Sequence, residues 1–160
     1  MKIRIATHHD APQLAELLKH WHRHEFESKR YANRQGPYGP GTHVAERDGT
    51  IVGWLTGSHA NENANEMEDY ADRPNRRCSV LLAMYVDVAH QDDGIGTDLV
   101  ETFLQESEEA GNTMAYVHPD ATADQEQLWR FYERLGFTLR RPANRRISRQ
   151  NWPMARDSAG

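Results

Sequence analysis

The sequence predicts a single α/β domain of the α+β type, with elements in the order β-α-β-β-β-α-β-α-β. Three observations carry this. Several segments alternate apolar and polar residues or run apolar for a strand's length. Others repeat apolar residues every three to four positions. Glycines and prolines punctuate the changes between the two periods. At 160 residues the chain is long enough for one compact domain with its own core.

The first strand is "KIRIAT", alternating at period two. Asp10 then reads as the cap of a helix, with Gln13 as its reciprocal capping-box partner. Leu14, Leu17, Leu18 and Trp21 recur at helical spacing and predict one buried stripe. "ESKRYANRQGPYGPGT" is polar and rich in glycine and proline, a loop with room for a short helix. "HVAERDGTIVGWLTGSHA" reads as a hairpin around Asp48-Gly49, a dipeptide favoured in tight type I′ turns. "NENANEMEDYADRPNRR" is acidic and nearly free of aliphatic residues, so it reads as an exposed connection. "CSVLLAMYVDV" is a long apolar run suited to a strand buried on both faces.

Ile95, Leu99, Val100, Phe103 and Leu104 mark the next helix, which Gly111 is placed to end. "TMAYVHP" is a further strand. Leu128, Phe131, Tyr132 and Leu135 stripe the last helix, closed by Gly136 with Phe137 folding back on its final turn. "FTLRRP" and "RRISRQNW" supply one or two final strands. The domain is therefore expected over residues 1–154, with 155–160 a disordered tail.

Composition narrows the function. The formal net charge is -5, which argues against a general nucleic-acid binder. No apolar run reaches the roughly 20 residues needed to span a bilayer. The opening "MKIRIATHHD" alternates where a signal peptide would be continuously apolar. The one cysteine, Cys78, allows no internal disulfide and suits a reducing compartment, so the expected location is cytoplasmic.

The chemistry-bearing stretch is "QDDGIGTD", between the buried strand and the helix that follows. A helix N-terminus offers unpaired N–H groups and about half a positive charge, which together attract phosphate. Gly94 and Gly96 let the backbone turn and let an anion approach the amides, and Thr97 adds a hydroxyl and another N–H. The same glycines could instead serve only to pack the helix on the sheet. Two other phosphate motifs do not fit. The dinucleotide fingerprint needs a third glycine, and the P-loop needs a lysine. Asp92 and Asp93 bring negative charge to this loop, so both side chains are expected to face water while the backbone does the holding.

Three motifs stand in order around this loop. Gln91-Asp92-Asp93-Gly94-Ile95-Gly96 follows the pattern [QR]-x-x-G-x-[GA] after a buried strand. Val86-Asp87-Val88 occupies the place of a V-x-P segment, with valine for proline. Some forty residues on, Tyr132-Glu133-Arg134-Leu135-Gly136-Phe137 matches Y-x-x-x-G-F. Together, and with the element order, they make nearly the whole chain resemble the GNAT family of N-acetyltransferases. The resemblance implies a mixed, mostly antiparallel sheet of about six or seven strands flanked by helices.

It also implies a cofactor and a reaction. Acetyl-CoA would be the co-substrate, without a metal. Gln91, Asp92, Asp93, Gly94, Ile95, Gly96 and Thr97 would hold its diphosphate. Val86, Asp87 and Val88 would line its pantetheine arm, with the valines pairing through the main chain and a backbone N–H near Val86 facing the thioester oxygen. Tyr132 would donate to the departing sulfur. Its place on the apolar stripe leaves a second reading open, a core tyrosine with a wet tip. One departure is Gln125, where many relatives carry a cofactor-contacting asparagine.

The acceptor side is less marked. Asp87 and His59 are candidates for the base that deprotonates the amine, although one could simply end a strand and the other lie on the surface. The acceptor is expected to be a primary amine on a small molecule or peptide. Glu62, Glu66, Glu68, Asp69 and Asp72 would favour a cationic one, unless they are only a solvated loop. His20 and His24 share a helical face but lack a third ligand nearby, so no metal site is expected. Trp21, Tyr31 and Tyr38 would line the acceptor pocket. Arg140, Arg141, Arg145, Arg146 and Arg149 suit a solvated strand edge, a homodimer contact or, least of all, nucleic acid. The rival to an enzyme is a non-catalytic acyl-CoA sensor of the same fold.

Overall fold

The computed structural model describes residues 1–21, 41–60, 67–68, 77–122 and 124–158. Its strands are β1 (Lys2–Ile5), β2 (Thr42–Arg47), β3 (Thr50–Ser58), β4 (Cys78–Val86), β5 (Met114–Val117), β6 (Thr138–Leu139) and β7 (Met154–Asp157). Its α-helices are α1 (Ala11–Leu18), α2 (Ile95–Glu109) and α3 (Gln125–Arg134). The strands form one seven-stranded mixed sheet in the order β1-β2-β3-β4-β5-β7-β6. The chain groups into two compact units, residues 1–57 with 83–103 and residues 58–82 with 104–160, so β4 and α2 contribute to both.

In the first unit, β2 and β3 form the expected hairpin. Asp48 (φ 52°) and Gly49 (φ 78°) both adopt positive φ, as a type I′ turn requires. Between Ala45 and Glu46 the register shifts past Val52, so the bulge lies in β3. Leu14, Leu17, Leu18 and Trp21 are buried as their spacing predicts. Ile95, Leu99, Val100 and Phe103 are completely buried on α2. Gly53 makes room for them: a Cβ there would sit 2.9 Å from Ile95 Cγ2 and 3.2 Å from Leu99 Cδ1.

Asp10 stands at the N-cap of α1, as expected, but its side chain makes no capping hydrogen bond to that helix. Asp10 closes a 3-10 turn (His8–Asp10), and its carboxylate accepts from Thr7 N at 2.8 Å. Gln13 is no partner in a capping box. Its Oε1 accepts from Ile51 N at 2.9 Å, tying α1 to the hairpin. Asp10 also takes two 2.8 Å hydrogen bonds from the Arg4 guanidinium. Arg4 first, and then the Thr7 amide, hold the Asp10 carboxyl down at about 2, below its ordinary 3.8, against the opposing effect of burial.

A depressed carboxyl stabilises the fold above its unfolded value, and that contribution is lost as pH falls from about 5 toward 2. At neutral pH it is worth about 2 kcal/mol. Asp10→Asn is therefore expected to lower the urea midpoint at pH 7. Measured across pH, its unfolding free energy should converge with wild type near pH 2. A constant gap down to that pH would separate the residue's role from its charge.

In the second unit, β4 pairs in parallel with β5 from Cys78↔Met114 to Leu81↔Val117. Beyond that register β4 runs on through Val86. β7 pairs antiparallel with both β5 and β6. Met67, Cys78, Val80, Met114, Tyr116 and Ala155 form a buried cluster.

Two C-terminal expectations are corrected. "RRISRQNW" contains a 3-10 turn, Arg149–Asn151, and the strand follows it. That strand, β7, includes Ala155–Asp157, so these residues are no tail. Met154 and Ala155 are completely buried, and the ladder to β5 extends to Asp157.

Candidate active site

The loop between β4 and α2 is built by a short series of local bonds. Asp87 N donates to Val52 O at 2.8 Å, the last rung before the chain leaves the sheet. The Asp87 carboxylate accepts from Ala89 N at 3.4 Å and starts a 3-10 turn over Val88–His90. Val88 is exposed to 70%. Gln91 Nε2 reaches back to Val86 O at 3.2 Å, fixing the final peptide of β4.

Gly94 takes φ 77° with nothing within 4 Å of where a Cβ would stand, so glycine is needed there for conformation, not space. The first helical bond of α2 runs from Asp98 N to Gly94 O at 3.1 Å. The amides of Ile95, Gly96 and Thr97 precede that ladder, and they are the orphan donors a helix presents at its start. Gly96 lies in the first turn of α2 with an ordinary helical φ, so its conformation does not demand glycine.

The two aspartates differ. Asp92 is exposed, as expected. Asp93 is exposed too, and it is also paired. Arg47 Nη1 donates to Asp93 Oδ2 at 2.7 Å, and His90 Nδ1 lies 3.2 Å from the same oxygen. Arg47 chiefly, and His90 next, hold its carboxyl below the usual carboxylate range. The charge at this helix start is thus compensated from the end of β2. Sequence gives no sign of this, because Arg47 is far from Asp93 in the chain and the motif around Asp93 leaves that position open.

A half-buried aromatic, Tyr85, lies within the apolar run of β4, where no motif marks it. Its ring centroid is 6.3 Å from that of Trp21, which is 5.8 Å from that of Trp54. Burial, then the charge of Asp87, pushes the Tyr85 phenol upward. Trp21 therefore belongs to an aromatic cluster, while Tyr31 and Tyr38 lie outside the described residues.

Tyr132 and His59 belong to the second unit. Tyr132 is 5% exposed and stands edge-on to Phe131 and Phe137, with centroids at 5.0 and 5.5 Å. Gly136 takes φ 92°, and Phe137 N donates to Tyr132 O at 3.0 Å, the helix closure that the sequence pattern predicts. Burial, and secondarily the charge of Asp120, drives its phenol well above the ordinary value.

His59 is no plain surface residue. Its Nδ1 is 2.6 Å from Ser79 Oγ, and its Nε2 is 3.6 Å from Glu106 Oε2. Ser79 Oγ donates to Ser107 Oγ at 2.8 Å and accepts from Asn112 Nδ2 at 2.7 Å. A hydroxyl has one proton to give. With that proton on Ser107, His59 Nδ1 must be the donor to Ser79. This polar knot joins the start of β4 to α2 and to the turn after it.

Gln125 Nε2 donates to Gln150 O. Glu68 pairs with Arg145, whereas Glu62, Glu66, Asp69, Asp72 and His24 lie outside the described residues. Among the described residues no cluster of His, Cys, Asp and Glu suits a metal ion, and no helix is long and apolar enough to cross a membrane.

A glycine turn that presents free amides at a helix start, after a central strand of a mixed sheet, defines an α/β protein equipped to hold an anionic cofactor group. The family described as "Acetyltransferase (GNAT) family" matches residues 11–137, and the chain belongs to that family of acetyltransferases. Solved structures of similar fold include a GNAT-family acetyltransferase from Staphylococcus aureus, 18% identical with a TM-score of 0.70, covering 98% of each chain. The PaiA N-acetyltransferase of Thermoplasma acidophilum, in complex with coenzyme A, is 15% identical with a TM-score of 0.67, again over 98% of each chain. Arabidopsis thaliana Naa50, bound to the bisubstrate analogue CoA-Ac-MVNAL, gives the same three figures. A search of curated protein sequences finds no match.

Proposed function

We propose that the protein transfers the acetyl group of acetyl-CoA directly to a primary amine on a small molecule or peptide. The observation that carries this is the run of ladder-free amides at Ile95, Gly96 and Thr97 behind the left-handed turn at Gly94, in a chain of the acetyltransferase family. Gln91 to Thr97 would hold the diphosphate through their main chain. Val86, where β4 has run past its register with β5, and Val88, in the 3-10 turn that follows, would contact the pantetheine arm through their backbones. A backbone N–H near Val86 would stabilise the oxyanion as it develops.

In the reaction, the neutral amine nitrogen attacks the thioester carbonyl carbon. The C–N bond forms, the C–S bond breaks, and CoA departs as a thiolate. Tyr132 would hydrogen-bond to that sulfur. With its phenol pushed up by burial, hydrogen-bond donation is favoured over full proton transfer. A base removes the proton of the incoming ammonium, and Asp87 is the better candidate. Among the described residues its carboxylate accepts one hydrogen bond, from Ala89 N, whereas the His59 ring is tied through Nδ1 to Ser79 and has Glu106 Oε2 3.6 Å from Nε2. The buried single thiol, Cys78, suits a cytoplasmic setting.

Acetyl-CoA at a hundred times its Kd should add about 2.7 kcal/mol of stability and raise Tm by about 5–10 °C. Thiol release over a panel of polyamines, aminoglycosides and peptide N-termini then identifies the acceptor. A chain whose Tm ignores millimolar acetyl-CoA would overturn the reading. The deep burial of Tyr132 favours the sensor alternative, which predicts the same Tm rise with no thiol released by any amine.

A further inference from the structure

The stretch between β6 and β7 carries five arginines and no acidic residue in a chain of net charge -5. Two of the five are neutralised: Arg140 pairs with Asp157 at 3.1 Å, and Arg145 pairs with Glu68. Two are laid over indoles. The Arg141 guanidinium stands 5.6 Å from the Trp152 ring centroid, and that of Arg149 stands 5.0 Å from Trp129. Cation–π contacts of this kind keep the charge while fixing the side chain.

Within the stretch, Arg141, Pro142, Asn144, Arg145, Ile147 and Trp152 line a pocket of about 310 Å³. Its frame is braced locally. Trp152 Nε1 donates to Ile147 O at 3.1 Å, and Arg146 N donates to Asn144 Oδ1 at 3.1 Å. Pro142 bridges Met67, and Glu68 N donates to Arg141 O at 3.1 Å. The lining divides into two kinds. Arg141, Arg145 and Asn144 offer N–H donors, and among the described lining residues there is no carboxylate. Pro142, Ile147 and Trp152 offer an apolar wall, with Ile147 exposed to 37%. Arg145 spends part of its donor fork on Glu68, but a guanidinium has five N–H groups and can hold a second anion.

We propose that this pocket binds a small aromatic anion, a planar ring bearing a phosphate or carboxylate. The acidic group sits on Arg141, Arg145 and Asn144, and the ring lies against Pro142, Ile147 and Trp152. The volume is at the lower end for small-molecule sites and excludes large ligands. Two fixed guanidiniums match the bidentate geometry of a carboxylate or phosphate.

The test is an NMR titration of the full chain with phenyl phosphate. The readout is the Trp152 indole N–H signal, assigned by its loss in Trp152→Phe. Saturable shifts are expected, equally with and without saturating acetyl-CoA, and weaker binding of inorganic phosphate and of phenol. Arg141→Gln should weaken binding at least about fivefold, as for a lost charged hydrogen bond. Ile147→Asp, which places a carboxylate in the pocket, should weaken it further. No saturable shift, or binding as tight by inorganic phosphate alone, overturns the proposal. Loss of binding when acetyl-CoA is added reassigns the anion to the cofactor loop and also overturns it. An oligothymidylate strand binding an order of magnitude more tightly would make the stretch a nucleic-acid contact instead.

Discussion

Gly96→Glu is expected to weaken acetyl-CoA binding by at least about a hundredfold, some 2.7 kcal/mol, without unfolding the protein. Gly96 is the second residue of α2 and has an ordinary helical backbone. Glutamate forms helix better than glycine by about 0.8–1 kcal/mol, and an acid in the first turn complements the helix dipole. The unliganded melting temperature should therefore hold. The new carboxylate would stand among the amides of Ile95, Gly96 and Thr97, where an incoming diphosphate would need to sit. Asp93→Asn is the control. Asp93 is two residues before α2, yet Arg47 and His90 already hold its charge, so its removal should change affinity by no more than about threefold. Calorimetric titration of both variants separates an added charge from a compensated one. Wild-type affinity in Gly96→Glu would mean that the cofactor's phosphates bind elsewhere.

The contrast between Gly96 and Asp93 shows which features the sequence displays. Features set by neighbours along the chain were legible. Asp48-Gly49 gave the hairpin because both positions demand positive φ. The stripes of α1 and α2 gave their buried faces. Gly136-Phe137 gave the closure of α3, since that bond spans only five residues. The capping box failed for a related reason. Thr7 to Asp10 and Asp10 to Gln13 both fit the spacing, and only the contact of Gln13 with Ile51 decides between them.

Features set across the fold were not legible. The Arg47–Asp93 pair joins the end of β2 to the loop before α2. The polar knot at His59 collects Ser79, Ser107 and Asn112 from three separate segments. Composition hides the end of β7, because "ARDSAG" is polar. Its first residue is nonetheless buried in the second unit's core, and the ladder to β5 carries the strand on to Asp157.

Tyr132→Phe is the second large effect: kcat should fall about 10²- to 10³-fold, the cost of removing one donor aimed at developing charge. Affinity for acetyl-CoA should stay within about threefold, because the diphosphate is assigned to backbone amides. The substitution keeps the edge-on contacts with Phe131 and Phe137 and removes only a hydroxyl from a site that is 5% exposed. Stability should therefore change little, and a variant that loses turnover at full Tm isolates the chemistry. The direction of the phenol's shift adds a second readout. Burial pushes it above its ordinary value, so the hydroxyl stays protonated and able to donate throughout the neutral and mildly alkaline range. The wild-type kcat profile should then show no falling limb from this group below about pH 10. If Tyr132→Phe turned over at the wild-type rate, the tyrosine would be a packing residue of α3. The departing thiolate would then have to be stabilised by other donors.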